Sequence, residues 1–256
     1  MLSACTDGPR ICLLIAALTC VNLTYGESLN VAVASNFVPA MQRLEPLFEV
    51  ASGHEITIIR GSSGKHFAQI SNGAPFDVFL SADQLRPKRL IEEGIAVQAS
   101  RITYAQGQLV LWSRSRDLAL SKEYLLDTNN YDRISMANPR LAPYGKAALE
   151  TLQNLGLDAL MDERVVTGEN IAQAFQFVFS GNADLGLIAY SQAVDENLSS
   201  PGSFWIVPSE LYQPIKQDMV TIRDSTAARE FLAFMQGPQA RDILVQSGYL
   251  LADGDS

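Results

Sequence analysis

The chain has 256 residues, 47% of them hydrophobic and 18% charged, with 17 glycines and 11 prolines. At about 150 residues per domain that makes one or two domains, enough to bury a core without disulfides or metal. The composition excludes a disordered, collagen-like or multi-span membrane protein. A formal net charge of −9 argues against nucleic acid or an anionic membrane as main partner, so a small anion would have to be held by local donors.

The first segment reads as a targeting leader. Met1–Arg10 is polar, and an apolar run follows from Ile11 to Val21, well short of the roughly 20 residues that span a bilayer but suited to a signal-peptide core. Thr24 and Gly26 stand three and one residues before a cut ahead of Glu27. A buried N-terminal helix is the other reading of this run. Cys5, Cys12 and Cys20 all fall in the leader. Cys20 as a lipoprotein cut is poorly supported by the preceding Ala17-Leu18-Thr19. The mature chain would hold no thiol for a disulfide or a nucleophile. Losing residues 1–26 removes Asp7 and Arg10 together, leaving the charge at −9. An exported, soluble protein is expected.

Beyond the leader, β-rich runs at 29–34, 55–60, 77–81, 108–113, 133–137 and 185–190 alternate with helical patterns. Phe37, Ala40, Met41, Leu44 and Phe48 share one face of the first helix, with Pro46 expected to kink or shorten it. Ile171, Ala174, Phe175, Val178 and Phe179 keep helical spacing, as do Ala228, Phe231, Leu232 and Met235 before Gly237-Pro238. Such alternation predicts parallel α/β sheets with crossover helices, in one large sheet or two lobes.

In such sheets ligands bind beyond the carboxyl ends of strands, where helices begin. Four of these junctions carry small, hydroxyl or amide residues: Ser35-Asn36, Gly61-Ser62-Ser63-Gly64, Ala142-Pro143-Tyr144-Gly145 and Thr167-Gly168-Glu169-Asn170-Ile171. Helix starts have unsatisfied N–H groups and a partial positive charge, which together suit an anion. Taken singly, each is equally an ordinary N-cap.

Other signals fail. Gly64-Lys65 lacks the earlier glycine and the following Ser or Thr of a P-loop. Ser63 and His66 lie close in sequence, but no G-x-S-x-G elbow exists, and the only other histidine, His54, reads as a solvated turn residue. Asp77 and Asp83 read as an end cap and a loop acid, and Trp112 and Trp205 as core.

At these junctions the sequence resembles the periplasmic molybdate-binding proteins, the substrate-binding components of molybdate ABC importers. The matching segments are VAVASNFVPAMQRL (31–44), GSSGKHFAQISNGAPFDVFLSAD (61–83), ANPRLAPYGKAALETL (137–152), VTGENIAQAF (166–175) and ADLGLIAYSQAV (183–194). The resemblance implies an α/β, two-lobed type II periplasmic binding-protein fold with a ligand cleft between the lobes. Lobe 1 would comprise residues 27–105 and 211–256 and lobe 2 residues 106–210, with crossovers near Tyr104–Gln108 and Val207–Gln213. It implies no enzymatic activity and no cofactor, with molybdate or tungstate as the transported ligand. The partner would be a membrane permease, and the receptor a periplasmic monomer.

Carried over position by position, the oxyanion ligands are the hydroxyls of Ser35 and Ser63, Asn36, and the backbone N–H groups of Tyr144 and Ile171. Of these Ser35, Ser63, Tyr144 and Ile171 would hold the molybdenum as its oxyanion, never as a bare cation. The late G-x-x-Y tyrosine of some members falls at Ala189. Tyr190, one residue on, would face away from the site if the strand continued. Tyr144 is the candidate to supply a phenol in its place. None of the five positions is charged, which suits a fully deprotonated dianion and penalises monohydrogen phosphate, whose proton finds no acceptor. Sulfate or another tetrahedral oxyanion is the alternative ligand, and an exported serine hydrolase using Ser63 or Ser35 the alternative class.

Overall fold

The structure is a computed structural model that describes residues 26–195, 197–198 and 202–251. The expected leader core and its cysteines lie outside the described residues. In chain order the first half contains β1 (Ser28–Ala34), α1 (Val38–Ser52), β2 (Glu55–Gly61), α2 (Ser63–Ser71), β3 (Val78–Leu80), α3 (Leu85–Glu92) and β4 (Ile102–Gly107). Next come β5 (Leu109–Ser113), α4 (Lys122–Leu126), β6 (Ile134–Ala137), α5 (Pro143–Asn154), α6 (Leu160–Glu163) and β7 (Val165–Gly168). They are followed by α7 (Ile171–Phe179), β8 (Leu185–Ala189), α8 (Tyr190–Ala193) and β9 (Ser203–Ile206). The chain closes with β10 (Ile215–Thr221), α9 (Thr226–Gln236) and α10 (Pro238–Gln246).

These strands form two five-stranded sheets, β2-β1-β3-β10-β4 and β7-β6-β8-β5-β9. The chain passes from the first sheet to the second at Gln108 and returns through 207–214. Each sheet is mixed, where parallel sheets were expected. β10 runs antiparallel to β3 and β4, and β5 antiparallel to β8 and β9. Both reversed strands are the first that the chain lays down after crossing between sheets. They arrive without a crossover helix, and so escape the constraint that makes successive strands parallel.

Apolar faces found by helical spacing do become core. Phe37, Met41, Leu44 and Phe48 pack with Phe231 and Met235 over one face of the first sheet, while Ile70, Phe76, Phe79 and Leu90 cover the other. The second sheet is buried around Trp112, Met136, Phe175 and Leu187. Each large side chain so buried is worth about 1.5–3 kcal/mol.

Four local expectations are corrected. Helix α1 runs unshortened through Pro46. Ser35 and Asn36 do not cap it: its N-cap is Phe37, with no side-chain cap bond. His54 is buried and accepts the Glu27 N–H at Nδ1 (2.9 Å), with Nε2 3.4 Å from Glu230. It ties the first strand's start to α9, whereas a solvated turn was expected. Trp112 is fully buried, but Trp205 on edge strand β9 is only half-buried.

Candidate functional site

The carboxyl ends of β1, β2 and β3 meet those of β6 and β7 across the cleft between sheets. Between them lies a small, tight cavity. It is near the least space that holds one water molecule, so admitting any larger ligand requires its walls to move apart. Ser35, Asn36, Ser63, Tyr144 and Ile171, the five positions singled out in the sequence, all line it. Ser62 and Asn170 join them, with Ala34, Ala82, Ala142 and Pro143 as apolar wall. No Asp, Glu, Lys, Arg or His is among the lining residues.

The donors differ in readiness. Ser63 Oγ accepts the Ala82 N–H at 2.9 Å and is buried, so its own proton is left for another acceptor. Ser35 Oγ donates to the Gly61 carbonyl at 2.8 Å, and the Ser35 N–H reaches the same oxygen at 2.9 Å. The hydroxyl can therefore turn away while Gly61 stays satisfied. Ile171 is the first residue of α7, and its N-cap Asn170 accepts from the Gln173 N–H, two residues beyond the Ile171 N–H. Tyr144 is the second residue of α5, whose N-cap Ala142 has no side chain to offer and whose first residue is Pro143. Backbone N–H groups in first turns have no intrahelical acceptor, and in neither helix does a capping side chain take these two.

Close approach of α5 to its strand requires Gly145. A Cβ there would lie 2.3 Å from the Ala137 carbonyl oxygen, so the A-P-Y-G start is seated directly on the end of β6. Gln192 steadies the neighbouring helix, its Nε2 donating to the Ile171 carbonyl at 3.2 Å and its Oε1 accepting the Ala189 N–H at 3.1 Å.

Two of these side chains have polar atoms engaged by neighbours. Asn36 spends both amide hydrogens, on Gln217 Oε1 (3.0 Å) and on the Tyr249 hydroxyl (3.1 Å). The Tyr144 phenol accepts from Gln217 Nε2 at 3.3 Å. Burial pushes the phenols of Tyr104, Tyr144 and Tyr249 upward in pKa, so all three are neutral. Tyr190 begins α8 and packs on Phe204 with ring centroids 5.4 Å apart, so it does not line the cavity. The strand ends at Ala189, which is the reason in place of strand alternation. Gln217, Tyr104 and Gln192 were not found from sequence. β10 is buried on both faces from Gln217 to Thr221, so it shows no alternation to read.

The two lobes touch around the cavity. The Gly64 N–H donates to the Leu141 carbonyl at 2.8 Å, and Lys65 Nζ meets Glu169 Oε1 at 2.8 Å. His66 faces the Val33 carbonyl (3.2 Å) and Gln69 Oε1 (3.3 Å), which leaves Ser63 without a base. Among the described residues no group of three or more His, Cys, Asp or Glu could hold a metal ion, and no helix is long and apolar enough to cross a membrane.

Residues 29–250 match the family model of the bacterial extracellular solute-binding proteins. The molybdate-binding protein ModA of Rhodobacter capsulatus is 43% identical over 222 residues, 86% of each chain. The chain belongs to this family. ModA of Azotobacter vinelandii is 42% identical, over 86% of this chain and 88% of that protein. The solved periplasmic molybdate-binding protein of Azotobacter vinelandii superposes with a TM-score of 0.83 at 40% identity, covering 88% of this chain and all of the other. The sulfate-binding protein SubI of Mycobacterium tuberculosis shares the fold, with a TM-score of 0.73 at 18% identity. As a member of the solute-binding proteins the chain is a transport receptor, not an enzyme, and its two-lobed type II architecture is the family's.

Proposed function

We propose that the protein is an exported periplasmic receptor that binds molybdate, and tungstate with it, between its lobes and delivers the anion to an ABC importer. The lobes are assigned as residues 27–105 with 211–256, and 106–210. Ser35 and Ser63 donate hydroxyls. Tyr144 and Ile171 donate backbone N–H groups, and Asn36 helps to hold the first turn. The observation that carries this reading is a cavity rich in neutral donors and free of carboxylate and cation. Relatives at 42 and 43% identity bearing the name molybdate-binding protein support the choice of anion.

Such a site stabilises a dianion by hydrogen bonds and helix ends alone. It offers hydrogens and few acceptors, so a protonated oxyanion would bury a donor with no partner, at roughly 1–3 kcal/mol. Isothermal titration with molybdate, tungstate, sulfate and phosphate in chloride buffer tests the reading. Saturable 1:1 binding of the first two is expected, with sulfate far weaker and phosphate silent. Sulfate binding as tight as molybdate would keep the receptor and overturn its specificity.

A further inference from the structure

We infer that Gln217 is a positioning residue that couples lobe closure to the geometry of the anion site. The inference rests on the receptor reading above and adds to it a residue outside the ligand's own contacts.

Gln217 is fully buried, and each of its polar atoms is engaged by a group tied to the cleft. Its Oε1 accepts from Asn36 Nδ2 at 3.0 Å and from the Tyr104 hydroxyl at 3.1 Å. Its Nε2 donates to the Tyr144 phenol oxygen at 3.3 Å. Asn36 and Tyr104 belong with Gln217 to the lobe of the first sheet, whereas Tyr144 stands on α5, packed on the second. One amide thus grips a cavity-lining residue from each lobe. β10 lies inside its sheet and is buried on both faces from Gln217 to Thr221, with a register shift between Gln217 and Asp218.

The neighbouring backbone is shaped for this contact. Gly107 is the last residue of β4, one position before the chain leaves the first sheet. A Cβ on it would fall 1.9 Å from the Tyr144 phenol oxygen and 2.8 Å from Gln217 Nε2. The phenol and the amide therefore fill the space a side chain would need beside the crossing. If the lobes separate, α5 carries Tyr144 away and the Gln217 Nε2 donor loses its buried acceptor. Closure restores that bond while the same amide holds Asn36, whose carbonyl accepts from the Tyr249 hydroxyl at 2.8 Å. The energy of the bond is realised in the closed form alone, so it opposes release more than it aids capture.

The test is a double-mutant cycle with molybdate, reading Kd by titration and koff by stopped flow. Gln217→Leu in the otherwise native protein should raise Kd about tenfold, chiefly through koff. Tyr144→Phe, which keeps the ring and loses only the hydroxyl, should raise koff several-fold and leave kon unchanged. In the Tyr144→Phe background the Gln217→Leu effect should largely vanish, whereas in a Ser63→Ala background it should persist in full. A merely structural role for Gln217 would lower the thermal midpoint of the free protein while leaving koff and the cycle additive, and that result would overturn the inference. Tyr144→Phe with native koff would overturn it equally, even if Gln217→Leu failed to fold. Absence of any oxyanion binding by the unmutated protein would instead sink the receptor reading itself.

Discussion

Ser63 and Ser35 differ in what each must give up before it can donate to an anion. Ser63 already accepts from the Ala82 N–H, so its proton is uncommitted, whereas Ser35 must leave the Gly61 carbonyl. Removing the Ser63 hydroxyl strands the buried Ala82 N–H and deletes a ligand donor, each at roughly 1–3 kcal/mol. Ser63→Ala should therefore weaken molybdate binding about tenfold or more in calorimetry and lower the thermal midpoint as well. Unchanged affinity would remove Ser63 from the site. His66, buried two residues beyond Gly64, is held below its ordinary pKa chiefly by desolvation. Unfolded, it titrates near about 6.5, so just below that pH the unfolded chain binds more protons than the folded one. Stability should be fully present above that window and fall as pH drops through it. Thermal midpoints at neutral and mildly acid pH check this, and a His66→Gln variant should show a flatter dependence.

Helix α5 has little freedom to shift along its strand. Gly145 sits where a Cβ would meet the rigid Ala137 carbonyl at 2.3 Å, not a flexible side chain. Gly145→Ala must push the start of α5 off β6, and overpacking of this kind costs about 1–3 kcal/mol. Both a lower thermal midpoint and weaker molybdate binding are expected, since Tyr144 moves with the helix. A midpoint equal to that of the unsubstituted protein would show that α5 can shift without penalty. Helices α1, α7 and α9 were legible from apolar spacing because one face of each enters a core. Strands β4, β9 and β10 were not. Two are at sheet edges, where burial is partial, and the third is buried on both faces from Gln217 to Thr221, which leaves no alternation to read.

For the whole molecule, closure is carried by contacts that exist only when the lobes meet. Lys65 and Glu169 are about half exposed, and an exposed pair contributes roughly 0.2–1 kcal/mol. Lys65→Ala should therefore weaken molybdate affinity no more than about fivefold, and high salt should erase the difference by screening. A charge reversal at both positions should restore most of the loss. If Lys65→Ala weakened binding equally at low and high salt, the pair would not be acting through its charge. The exclusion of a P-loop, the alternating α/β pattern and the helix starts were all written in the sequence. Each depends only on residue type and local spacing. Five uncharged positions could be named along the chain because the resemblance to the molybdate-binding proteins carries that family's ligands onto them. That all five line one cavity, and that its wall carries no charge, was decided only by tertiary structure, because positions as far apart as Ser35 and Ile171 are brought together by the packing of two sheets. The same packing committed the Asn36 amide to other partners and engaged the Tyr144 phenol as an acceptor. Their partner, Gln217, lies 181 residues from Asn36 and 73 from Tyr144, separations over which no local rule of sequence operates.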